Sequence, residues 1–190
     1  MKPPKQKASL TFPVRDFGPF LFTRNVGVSA RKELEDKLHN CGPVALLTID
    51  FAGVDAMTNS FTDEFLGKFY VALAAGDSGA EGVELDGLNE ETRDAVTVCL
   101  ERRKQIAVDA ATHELLGDAA VLADTYQQAR QLGAFRASAL SEALHISLPN
   151  ANNRLKRLVE AGALKRERST GPERGGKEFT YALPQADDGA

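Results

Sequence analysis

"VALLTIDFAGVDAMTNSFTDEFLGKF", Val44 to Phe69, decides the fold class. Its first eleven residues are apolar and rich in β-formers, too short for a typical helix, and read as a strand buried on both faces at the centre of a sheet. The strand ends at Asp50 and a short loop follows. Thr58, Asn59 and Ser60 then stand where a helix begins, with Phe61, Phe65, Leu66, Phe69 and Leu73 at helical spacing. Ser60 lies three residues before Asp63, the spacing of a capping box. A buried strand running into a helix predicts a layered α/β arrangement.

The flanks extend the same pattern. Downstream, "GVELDGL" reads as a strand, and "NEETRDAVTVCLERRKQ" as a helix capped by Asn89, with acids in its first turn and bases in its last. Upstream, "ASLTFPV" and "PFLFTR" are β-rich and flank "RDFG", which predicts a hairpin, with Pro13 confining the first strand to an edge. "SARKELEDKLHNCG" predicts a helix of about three turns, with Ser29 as cap and Gly42 after its end. Strands and helices alternate to about residue 106, so an α+β unit is expected over residues 10–117, behind a flexible basic tail at 1–9. From "VDAATHELLG" onwards the pattern becomes wholly helical until the last twenty residues. Residues 118–133 are expected as a connecting helix or as the first helix of a second module, 134–184 as that module, and 185–190 as a disordered tail.

In "SALSEALHISLPNANNRLKRLVEAGAL" the apolar spacing of Leu155, Leu158, Val159 and Leu164, behind a turn at Ile146 and Ser147, predicts two helices crossing at a short turn. The face of the second helix turned from the core is expected to carry Asn150, Asn153, Arg154 and Arg157. Asn matches the donor and acceptor pair of an adenine edge and Arg that of a guanine edge, while Lys156 and the Ser147 hydroxyl suit phosphate. "ALKRERSTGPERGGKEFTYAL" then reads as two strands around a Gly-rich basic tip, a wing, where Arg166, Arg168, Arg174 and Lys177 can reach a nucleic acid backbone.

Composition supports two units with different partners. The 190 residues are 43% hydrophobic and 26% charged, the mix of a soluble globular chain, with a net charge of −4. Residues 134–184 hold nine Lys or Arg against five acids, an excess of +4, while the rest of the chain holds 14 basic and 22 acidic residues. A positive surface attracts polyphosphate and a negative one is repelled by it. No apolar run approaches a membrane span and no secretory signal opens the chain, so a cytoplasmic location without membrane contact is expected. Cys41, Cys99 and three scattered His show no metal-binding spacing, and no phosphate loop or nucleophile motif is present. No cofactor, metal or enzymatic activity is expected. Asp50, Asp55, Asp63 and Glu64 could be taken for an acid–base cluster, but Asp50 ends a strand and Asp63 and Glu64 fall in a first helical turn, where acids suit the dipole.

"SLPNANNRLKRLVEAGAL", with the helix before it and the basic hairpin after it, resembles the winged helix-turn-helix of bacterial regulators of the MarR-like and GntR-like types, from about Phe135 to Leu183. The resemblance implies binding of double-stranded DNA and a homodimer that supplies the second half-site. "IDFAGVDAMTNSFTDEFLGKF", Ile49 to Phe69, resembles the hallmark "L-D-F-x-G-V-x-x-x-T-x-S-F-x-D-E-h-x-G-x-h" of a STAS-like family of bacterial domains. The upstream "FLFTRNVGVSARKELEDKL" is similar to that family's segment with an early Arg, here Arg24 and Arg31. More remotely, this half resembles anti-sigma-factor antagonists, in which a partner kinase phosphorylates a serine before the helix, and Ser60 matches that position. The chain departs from the antagonists in placing bulky Phe61 where they have glycine. Together these resemblances imply a bacterial DNA-binding transcriptional regulator. In it, Thr58, Asn59, Ser60, Phe61, Asp63 and Glu64 form a regulatory surface for a protein partner, such as a histidine-kinase-like ATPase. The other reading is a non-enzymatic signalling or defence-system adaptor that uses both units for protein contacts.

Overall fold

The computed structural model describes residues 7–168 and 178–185. The chain is a mixed α+β protein. Its N-terminal sheet is parallel, in the order β1 (Ala8–Pro13), β3 (Val44–Asp50), β5 (Ala80–Asp86). The Val44–Asp50 run is the central strand, with Leu47 and Ile49 buried beneath the helices. β1 is an edge strand, as Pro13 requires, but it pairs with β3 and not with the next segment. The expected hairpin is absent because Val14–Phe17 closes a 3-10 turn that redirects the chain. Phe20–Leu21 (β2) then pairs in parallel with Ala56–Met57 (β4).

Three helical segments cover one face of this sheet. α1 spans Arg24–Cys41 and is capped by Thr23, whose side chain accepts from the Val26 N–H. It starts well before the expected cap, Ser29, which lies inside the helix with its hydroxyl donating to the Asn25 carbonyl at 3.1 Å. The second rod opens as α2 (Asn59–Thr62), passes through a π-helical stretch, Asp63–Gly67, and continues as α3 (Lys68–Ala74). Its cap is Thr58 and not Ser60. Thr58 Oγ1 accepts the Phe61 N–H and also donates to the Phe22 carbonyl, so one hydroxyl ties the rod to β2. α4 (Glu90–Arg102) begins in a capping box of Asn89 and Thr92. The core between rods and sheet is aromatic: Phe61, Phe65 and Phe12 are fully buried, with successive ring centroids 5.7 and 5.9 Å apart.

The stretch expected to be helical after residue 106 is instead an antiparallel pair, β6 (Ile106–Val108) and β7 (Leu115–Gly117). Its connection is fastened by side chains: Asp109 Oδ1 accepts the Ala111 and Thr112 N–H groups, and Arg93 pairs with Asp109 and Glu114. α5 (Ala123–Leu132) follows, shorter than the 118–133 helix expected. Its Tyr126 and Ala129 share a second core with β6, Phe135, Leu140, Leu155, Leu158 and Tyr181. α5 is thus packed in the C-terminal core. Strand β1 begins at Ala8, inside the segment expected as a tail, and the rest of both expected tails, 1–6 and 186–190, lies outside the described residues.

The C-terminal unit is β8 (Phe135–Arg136), α6 (Ala137–Leu144), α7 (Leu148–Glu160), β9 (Lys165–Arg168) and β10 (Phe179–Ala182), with a three-stranded sheet in the order β8-β10-β9. It docks on the outer edge of β5. The Val83 N–H, turned away from β3, donates to the Gly162 carbonyl at 3.0 Å. At Gly82 a Cβ would lie 2.2 Å from Pro184, so only glycine lets that proline rest on the sheet.

Candidate nucleic-acid interface

α7 is set by its N-terminus and by one apolar stripe. His145 ends α6 in the left-handed region at φ 52°, and Ser147 caps α7 by accepting the Asn150 N–H at 3.4 Å, with Pro149 in the first turn. Ala151, Leu155 and Leu158 are buried, and they fix the rotation of the helix. At 100° per residue the opposite face falls on Pro149, Asn153, Lys156 and Glu160, with Asn152 on the shoulder toward the wing.

The residues expected on the reading face are divided between two sides of α7. Arg154 and Arg157 lie on the other shoulder and turn back on the protein. Arg154 donates to Thr125 Oγ1 at 3.0 Å and to Asn150 Oδ1 at 3.1 Å, and Arg157 donates to Asp118 Oδ2 at 3.0 Å. Ser147 is exposed and uses a lone pair of its hydroxyl for the cap, which leaves the O–H able to donate. Asn150 is exposed, with its carbonyl oxygen engaged by Arg154. Asn152, Asn153 and Lys156 are exposed, the Lys156 side chain by 70%, although its ammonium stands 3.7 Å from Glu160. They border a groove that also receives Arg166 of β9 and Phe179 of β10, where the guanidinium lies 4.5 Å over the ring. Arg168 is exposed on the same strand. Arg174 and Lys177 lie outside the described residues.

Asn152 was not among the residues expected to face a groove. The signal for it was Ala151, a small residue that reads as neutral by composition but belongs to the buried stripe. Once Ala151 joins Leu155 and Leu158, the free face rotates toward the wing.

The described C-terminal geometry is that of a winged helix, and a family model agrees. The MarR family model matches residues 127–175. The match takes in the end of α5, both helices of the helix-turn-helix and β9, and it leaves the N-terminal sheet unmatched. MarR proteins are DNA-binding transcriptional regulators, so the matched segment supports the winged helix-turn-helix as a DNA-binding unit. No curated protein and no solved structure matches the chain. Among the described residues no helix is long and apolar enough to cross a membrane, and no cluster of three or more His, Cys, Asp or Glu could hold a metal ion.

The second candidate surface, around the start of the 59–74 rod, is divided by the structure. Asn59 and Ser60 are exposed, and Thr58 is half-buried in its cap. Phe61 is fully buried in the aromatic core and presents nothing to a partner. Asp63 is held by Arg103 in a two-pronged pair at 2.6 and 2.9 Å. The Glu64 side chain is only 5% exposed and sits between Arg24 and Lys68, each 2.7 Å away. Arg31 Nε donates to the Glu64 carbonyl, which lies in the π-helical stretch where the regular ladder is interrupted. Lys68, ahead of Arg24, holds the Glu64 carboxyl below its usual range, and Arg103 does the same for Asp63. Both groups therefore bind protons more weakly folded than unfolded. Their stabilising effect is present above the unfolded values, roughly pH 4, and is lost as pH falls through the folded ones. Urea unfolding midpoints should drop as pH falls below about 5, less steeply in an Asp63→Asn, Glu64→Gln double variant. Identical slopes would contradict this role for the two pairs.

Proposed function

We propose that this protein is a transcriptional regulator that binds double-stranded DNA as a homodimer, with α7 in the major groove and β9–β10 against the backbone. The observation that carries the reading is the uncovered face of α7, where Asn152, Asn153 and Lys156 meet Arg166 across an open groove. Two amides side by side offer paired donors and acceptors to base edges, and the two cations suit phosphates. Arg168, Arg174 and Lys177 of the wing extend the phosphate contacts.

In this reading the N-terminal unit is a STAS-like module that receives a protein partner at the start of the rod. Ser60 is exposed and released from capping by Thr58, so its hydroxyl is available for phosphorylation. Beside it, Phe20 and Phe22 are 55 and 56% exposed with ring centroids 5.9 Å apart, an apolar anchor for a kinase-like partner. Coupling to α7 runs through three attachments: Gly162 to Val83, Arg154 to Thr125 and Arg157 to Asp118. The segment from Asp118 to Leu132 supplies two of these.

The test is fluorescence anisotropy with duplexes from the region upstream of the coding sequence, titrated at two salt concentrations. Saturable, sequence-selective binding that is lost in Asn153→Ala with Lys156→Ala supports the reading. Asp118→Ala releases Arg157 and removes one negative charge. It should steepen the slope of log K against log salt by about one unit, and an unchanged slope would show that Arg157 does not reach phosphate.

One observation favours the adaptor reading: Arg154 and Arg157, two of the cations of α7, are engaged within the protein. Binding that is weak, uniform across sequences and indifferent to the α7 substitutions would select it.

A further inference from the structure

A half-open cleft of about 160 Å³ separates the open face of the N-terminal sheet from the C-terminal unit. Leu46 and Glu84 come from the sheet, His113 from the β6–β7 connection, Tyr126 and Arg130 from α5, and Pro184 closes one end. A dry cavity of roughly 150 Å³ accepts benzene, so this space suits a compact molecule of ring size.

Its polar groups are arranged for something other than each other. Tyr126 is only 4% exposed as a residue and lines the cleft, and its hydroxyl, which is not among the fully buried unpaired polar atoms, is open to an occupant. Glu84 and Arg130 carry opposite charges in the same cleft without forming an ion pair. Glu84 accepts from Thr48 at 3.0 Å, and Arg130 donates to Gln127 at 3.1 Å. Burial chiefly raises the Tyr126 phenol, while Arg130 lowers it and Glu84 raises it, so the hydroxyl lies within the fields of both ions. His113, at the rim, holds a left-handed backbone at φ 56°, uncommon for a residue with a side chain. It is pinned by its N–H to the Asp109 carbonyl and by Gln127 donating to its own carbonyl.

We propose that this cleft binds a free α-amino acid with a compact apolar side chain. Its ammonium meets Glu84, its carboxylate meets Arg130 and the Tyr126 hydroxyl, and its side chain lies against Leu46 and Pro184. An acid alone offers Glu84 no cation, and an amine alone offers Arg130 no anion, whereas an amino acid offers both. The site also borders Gly162 and Ala163, directly after α7, so an occupant bears on the presentation of that helix. This consequence rests on the DNA reading of α7, and the binding does not.

The experiment is isothermal titration calorimetry on the full chain with L-leucine, isovalerate and isopentylamine, without DNA. Saturable binding of L-leucine at least about tenfold tighter than either half-molecule is expected. Tyr126→Phe should weaken it severalfold, and Glu84→Gln should reduce it to the level of isovalerate. Tyr126→Phe keeps the ring and its packing, so it remains informative should Glu84→Gln fail to fold. Absence of saturable heat with L-leucine, L-valine and L-proline alike overturns the proposal, as does equal binding of the half-molecules or an unchanged affinity in Tyr126→Phe. The calorimetry needs no DNA, so its failure and the failure of the DNA reading are separate results.

Discussion

Phe61→Ala is expected to lower the free energy of unfolding by about 3–5 kcal/mol, against less than about 0.5 kcal/mol for Ser60→Ala beside it. Phe61 has no solvent exposure and its ring stands 5.7 Å from Phe65, which in turn meets Phe12 of the edge strand. Removing the ring takes away apolar burial and leaves a cavity between the 59–74 rod and the sheet, where α1 also packs and little can relax to fill the space. Ser60 has neither burial nor a capping role, because Thr58 caps the helix. Urea unfolding of the two variants checks this. Similar, small losses in both would mean that Phe61 faces outward, as a partner contact would. The contrast also guards against a misreading, since an interaction lost in Phe61→Ala reports on folding and not on the partner surface.

Gly162→Ala should have the second-largest effect and should act at the junction of the two units. Gly162 has φ +69°, which costs an L-residue about 1–2 kcal/mol. An added Cβ would lie 2.8 Å from the Val83 nitrogen and 3.2 Å from its side chain. That contact must open the hydrogen bond from the Val83 N–H to the Gly162 carbonyl, and such overpacking costs typically 1–3 kcal/mol. A loss of about 2–5 kcal/mol is expected, with hydrogen exchange at the Val83 amide accelerated beyond that of its β5 neighbours. Full protection at Val83 in the variant would show that the docking does not depend on this approach.

The elements that were legible in the sequence have strong local signals. Val44–Asp50 is a largely apolar, β-rich run bounded by a Pro and a loop, Asn89 and Thr92 form a complete cap, and Ala137–Glu160 keeps a helical apolar stripe on both sides of a polar turn. Where two residues could cap a helix, tertiary partners decided. Thr58 prevailed over Ser60 because its hydroxyl also reaches the Phe22 carbonyl, and Thr23 over Ser29, which bonds inside the helix instead. The β6–β7 pair was hidden because its strands have three residues each and its turn lacks the glycine and asparagine that announce hairpins. Asp109, Arg93 and Glu114 do that work from a distance in sequence. β2 was visible as a strand, but its partner β4 lies beyond all of α1, a pairing that no local pattern contains.

The polar and basic character of α7 was legible in the sequence, and the rotation of the helix about its axis was not. "NANNRLKR" announces polar and basic residues on a helix. Which of them face outward depends on Thr125 and Asp118, which capture Arg154 and Arg157 from about thirty and forty positions upstream. The Phe20 and Phe22 pair was read only as β-rich sequence, because its exposure becomes apparent only once Leu21, which ends β2 between them, is seen to be buried.

The most direct measurement of the central claim is selection of duplexes from a random-sequence pool by the full chain, with the Asn152→Ala, Asn153→Ala double variant beside it. The account predicts enrichment of a defined motif by the wild type, with the enrichment flattened in the variant while bulk affinity for DNA persists through the remaining cations. A pool that stays unenriched, or a motif that the double variant selects equally well, would contradict sequence reading by this face of α7.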